Sequence, residues 1–203
     1  MKGLLLKDFY LMREKRMLPL WFILALAICT NSFIVPIMVF FTSALLPGVS
    51  LFFDKSDGWD RAMHFLPYSA RAAVLSKYAL GGFGMFAGSM IYGISQLVFQ
   101  LIGQPPEASV APVFLANLFL GVQLLSAEFP CHIKPTIDMA KILGVVVELP
   151  FLLAAILLSI AVRRGWLALA VLNQLTCVLG IAAAVLCFLS IRFSIAAFQK
   201  QES

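Results

Sequence analysis

The chain has 203 residues, of which 62% are hydrophobic and only 12% charged, and its mean hydropathy is +0.97. These values exclude an ordinary soluble globular domain and point to an integral membrane protein. The net charge of +5 calls for no nucleic-acid partner, because cationic loops beside anionic inner-leaflet lipid account for it.

A chain of this length accommodates about six helices of roughly 20 residues, the length that crosses a hydrocarbon core of about 30 Å. The apolar runs are continuous instead of alternating, which predicts an all-α membrane protein and not a barrel. The first element covers residues 1–17, opening MKGLLLKDFYLM. Leu4, Leu5, Phe9 and Met12 form its apolar side, while Lys2, Asp8, Arg13, Lys15 and Arg16 take the remainder. An amphipathic helix lying along the inner membrane interface is expected, with a disordered basic tail as the alternative. No small-residue cleavage site follows it, so the N-terminus is expected to be retained.

Six spans are predicted: residues 18–32, 34–53, 78–102, 113–130, 142–162 and 166–191. Asn31 and Ser32 mark a turn between the first two. The segment GQPPEASVAP parts the third from the fourth, since Pro105 and Pro106 cannot continue a helix. Arg163, Arg164 and Gly165 make a short turn before the sixth. Thirteen of the fifteen Lys and Arg fall in the N-terminal segment, in 54–77, in 134–141 and near the C-terminus; Arg163 and Arg164 are the remaining two. By the positive-inside rule both termini and the 54–77 connection are cytoplasmic.

That connection is long for a link between antiparallel spans. Asp57 is a candidate N-cap for a helix from Gly58 to Leu66, with Asp60 at its positive end, and Pro67 stops it. Trp59, Met63 and Leu66 share one face at helical spacing. Ser69 can cap a second helix through Arg71, Val74 and Lys77 into the third span. Two readings stay open: a docking surface, or a helix resting on lipid headgroups.

Within the spans, Gly81, Gly84 and Gly88 line one smooth helix face for close packing. That face meets either another span of the same chain or a second copy. Glu128 and Glu148 lie in apolar runs, where an unpaired charge costs about 2.5–3.5 kcal/mol, so each must face protein or a wet cavity or be protonated. They either contact a cationic substrate group or gate an inner vestibule, or they pair with His132, Lys134 or Lys141 to fix packing.

Catalytic patterns are weak. The chain carries no G-x-x-x-x-G-K-[ST] sequence, so no ATP hydrolysis is expected from it. Cys29, Cys131, Cys177 and Cys187 form no C-x-x-C pair, and His64 and His132 stand in separate segments, which makes a zinc site improbable. Ser95 has no histidine at its depth, so an intramembrane hydrolase is a poor reading.

The N-terminal MKGLLLKDFYLM followed by DKSDGWDRAMHFLPYSARAAVLSKY, residues 54–78, resembles the small six-span permease subunits of bacterial ABC transporters in the type-two exporter class. The resemblance covers the whole chain in span order, and residues 54–78 are its most specific part. It implies one transmembrane domain over 1–203 in a bacterial cell membrane, pairing with a second permease as a homo- or heterodimer. It also implies a separate ATP-binding cassette subunit that holds ATP and Mg, with no cofactor bound by this chain. The cytoplasmic helix of 54–77 becomes the coupling helix, with Trp59, Asp60, Arg61, Met63, Leu66, Pro67 and Arg71 as ATPase-docking residues. Ser76 and Lys77 also match, whereas His64, Tyr68 and the Cys131–His132 pair depart from the pattern and leave the substrate open. The expected activity is export of a hydrophobic or amphipathic substrate such as a peptide. The alternatives are an ion-coupled secondary carrier using Glu128 and Glu148, and a non-transporting membrane scaffold or immunity-type protein.

Overall fold

A computed structural model describes residues 2–14, 34–59, 69–103, 110–133 and 137–202. Six helices are described: α1 (Lys2–Glu14), α2 (Ile34–Ser56), α3 (Ala70–Leu101), α4 (Val110–Ile133), α5 (Ile137–Arg163) and α6 (Leu169–Glu202). Helix α1 is short, and the other five are long and apolar enough to cross a membrane. In hydrocarbon the backbone has no other donor or acceptor than itself, so continuous apolar runs such as these close their hydrogen bonds within each helix. The predicted first span, residues 18–32 with its Asn31–Ser32 turn, lies outside the described residues.

Helix α3 starts at Ala70 and runs unbroken into the third span, the Ser69-capped course the sequence suggests: the Ser69 side chain accepts from Ala72 N at 3.3 Å. Other ends differ from the sequence expectation. Helix α6 starts at Leu169 and continues beyond Ile191 to Glu202. Helix α2 runs through Asp54 to Ser56, and Gly58, with φ 71°, adopts a left-handed conformation that closes it. Gly58 is therefore not the first helical residue of the connection; helical conformation resumes at Trp59, and the rest of the expected 58–66 helix lies outside the described residues. At the far end of α5, Gly165 takes φ 71° while Trp166 N donates to Ala161 O at 2.9 Å, the pairing that satisfies the last carbonyls of a helix ending on glycine.

Helices α2 and α4 are the most enclosed of the five, while α3, α5 and α6 expose broad apolar faces such as Phe83, Phe86 and Met90 on α3. Helix α4 packs against α2, α3, α5 and α6. The core between them is built from Phe40, Leu124, Phe129, Val74 and Tyr78. Phe114 joins it edge-on to Phe40 at 5.1 Å and stacks on Tyr92 at 4.2 Å.

Helices α2 and α3 run antiparallel in very close contact. A Cβ at Gly81 would lie 3.1 Å from Pro47, one at Gly84 3.0 Å from Ser43, and one at Gly88 2.7 Å from Val39. The glycine face thus meets a span of the same chain, which is the small-residue mode of packing that membrane helices use where no hydrophobic force separates protein from lipid.

Candidate functional site: a charged junction at one end of the bundle

Charged and hydroxyl side chains collect at the end of the bundle where α2 finishes and α3 begins. Lys77, two turns past the Ser69 cap, is 4% exposed and directs its ammonium at three acceptors. These are Asp8 Oδ1 at 2.7 Å, Asp54 Oδ2 at 2.6 Å and the Ser50 hydroxyl. An ammonium has three donors, so this one is fully used. Lys7 pairs with the other Asp54 oxygen and lies 3.1 Å from Asp8 Oδ1, and Ser50 also donates to Asp8 at 3.0 Å. Two lysines thus balance two aspartates from α1 and α2. Removing one member of such a buried set costs about 3–5 kcal/mol, because a charge is left uncompensated.

This arrangement corrects the expectation for α1. Leu4, Asp8 and Met12 form its buried side, so Asp8 is not on the outer polar face, and Leu6 and Tyr10 are 56% and 58% exposed together with Phe9. The ionic partners on α2 and α3 draw the carboxylate inward and leave apolar residues outward. Asp8 falls one turn from both Leu4 and Met12, a spacing already visible in the sequence. Its partner Lys77 is legible as a residue of the Ser69-capped helix but not as a partner of Asp8.

Of the predicted docking residues, Trp59 and Arg71 are described. Trp59 sits beside the junction, with the Lys7 ammonium 5.0 Å from its ring centroid. Arg71 is exposed in the first turn of α3. Asp60, Arg61, Met63, Leu66 and Pro67 lie outside the described residues.

A second polar group lies across α2, α4 and α5. Glu128 Oε1 and His132 Nε2 are 2.9 Å apart, one turn from each other on α4. Gly48 of α2 brings its backbone against them: a Cβ there would be 2.8 Å from Glu128 Oε1. Gly144 of α5 faces both His132 and Glu148, so the structure brings the two carboxylates to one place around the imidazole. Glu128 is buried and Glu148 half-buried. Lys55 donates to the carbonyls of His132 and Ile133, closing the end of α4. Lys134 and the Lys141 side chain lie outside the described residues.

Next to Lys77, Tyr78 points the other way. Its hydroxyl meets Ser190 of α6, which donates to Ser126 O of α4, and its ring packs edge-on to Phe129 at 4.8 Å. Adjacent residues of α3 therefore tie α1 and α2 on one side and α4 and α6 on the other. Among the described residues no group of three or more His, Cys, Asp or Glu is placed to hold a metal ion.

The family of ABC-2 family transporter proteins matches residues 3–199. No curated protein and no solved structure matches the chain. With five helices among the described residues long and apolar enough to cross a membrane, and a family match over nearly its whole length, the chain belongs to the ABC-2 transporter family, as a multi-pass membrane permease of an ABC transporter.

Proposed function

We propose that this permease is an exporter subunit that couples to its ATP-binding cassette partner through the connection between α2 and α3. The observation that carries this reading is the ion pair at the base of that connection. Asp54, near the end of α2, and Lys77, near the start of α3, are 2.6 Å apart. A segment stapled at its base can pass a push from a docked partner into two spans at once, as rigid-body motion. Trp59 leaves the staple on the Lys7 side, and Trp59, Met63 and Leu66 form the stripe that enters a groove on the ATPase. Asp60, Arg61, Pro67 and Arg71 complete the docking surface.

The permease has six spans with both termini cytoplasmic, and it pairs with a second permease around the transport route. The concentration of lysine and arginine in the N-terminal and 54–77 segments supports that orientation. The substrate is hydrophobic or amphipathic, and Glu148 meets it from the route while Glu128 is held by His132. ATP and Mg bind the partner subunit. Affinity purification of the tagged chain from its native membranes, with ATP hydrolysis measured on the eluate, tests this reading. A co-purifying Walker-motif protein with ATPase activity is expected; a well-folded permease that brings down none contradicts it.

A further inference from the structure

The face that α1 turns to the protein sets a carboxylate between two buried apolar residues, Leu4 and Met12. Leu6, Phe9 and Tyr10 point outward, while the Asp8 carboxylate is 0% exposed. A 13-residue helix has little stability of its own, so its setting depends on what it docks against. Burying Asp8 is tolerated only because Lys77, Lys7 and Ser50 meet it. The pairing therefore acts with Leu4 and Met12 in setting which side of α1 faces the bundle.

We infer that Lys77 is a positioning residue: its ammonium, shared between Asp8 of α1 and Asp54 of α2, locks the rotation of α1 and makes α1 move as one body with the adjoining ends of α2 and α3. Motion entering at the 54–77 connection then reaches the N-terminal helix through this ammonium as well as the two spans. Transmission, unlike the lock itself, rests on the docking role proposed above. Arginine is no substitute, because a planar guanidinium does not reproduce three acceptors arranged around one nitrogen.

Hydrogen exchange of the full chain in lipid nanodiscs tests the lock without the ATPase. Lys77→Met alone leaves Asp8 and Asp54 sharing Lys7 and can fail to fold. The double variant Asp8→Asn/Lys77→Met keeps charge balance, since Asp54 retains Lys7. In that variant amides 5–14 are expected to exchange about tenfold faster or more, with α4 and α5 unchanged. Exchange within about twofold of wild type overturns the lock.

The second arm uses the complex with its co-purified ATPase, compared nucleotide-free and trapped with ADP and vanadate. In wild type, residues 70–80 and α1 are expected to change exchange together; in the double variant only 70–80 responds. An α1 that still follows 70–80 in the variant, or that fails to follow it in wild type, overturns transmission. If no ATPase co-purifies, the docking reading falls while the nanodisc arm still decides the lock.

Discussion

Val39 of α2 and Gly88 of α3 approach so closely that a Cβ on residue 88 would stand 2.7 Å from Val39 Cγ1. The atom in the way belongs to a β-branched side chain stiff at its first torsion, so it cannot swing aside. Gly88→Ala should therefore push α2 and α3 apart, at a cost of about 1–3 kcal/mol. Gly82 and Gly93 of the same helix have open space where a Cβ would go, and alanine there should be neutral or slightly stabilising. Thermal unfolding of the purified variants, followed by loss of the monodisperse peak, checks the contrast. Equal effects at 82 and 88 would contradict the packing.

The Ser69 cap is a second quantity open to measurement. Ser69→Ala removes the side-chain acceptor for Ala72 N, which keeps the Ser69 carbonyl at 2.8 Å, and should cost about 1 kcal/mol, felt as faster exchange in the first turn of α3. Ser69→Asp should keep the cap and its protection. Unchanged exchange in the alanine variant would mean that the end of α3 is held by something else.

Tyr78 carries two contributions that can be separated. Tyr78→Phe loses the hydroxyl contact with Ser190 but keeps the ring against Phe129, for a loss of about 0.5–1.5 kcal/mol. Tyr78→Ala also empties the ring site in the core, for about 3–5 kcal/mol. Chemical denaturation in a mild detergent distinguishes them, and a phenylalanine variant as damaged as the alanine one would show that the polar link dominates.

For the carboxylates, Glu148→Gln should leave assembly with the ATPase intact and change ATP hydrolysis stimulated by transported substrate. Glu128→Leu should instead lower stability, because it strands His132 beside Gly48. Wild-type stimulation and transport in Glu148→Gln would remove that residue from the route.

Helix identity was legible in the sequence because long apolar runs leave the backbone no other solution in lipid. The ends were less so. Ser69 does mark the start of α3, which runs through the exposed Arg71 and through Lys77 into the span; what spacing does not show is that Lys77 is neutralised by partners distant in sequence. Gly58 resembles the first residue of a helix, but its positive φ closes the preceding one. His132 could be named as a partner of Glu128 because they are one turn apart. The junction of Lys7, Asp8, Asp54 and Lys77 could not, because it joins three helices whose mutual register no local spacing encodes.

The most direct measurement compares wild type with Trp59→Ala/Met63→Ala in co-purification from native membranes, quantifying permease, ATPase and ATP hydrolysis in each eluate. The predicted result is an ATPase that accompanies wild type and is lost, together with its activity, from an equally abundant and monodisperse double variant. Retention of the ATPase and its full activity by that variant would contradict docking through the connection between α2 and α3.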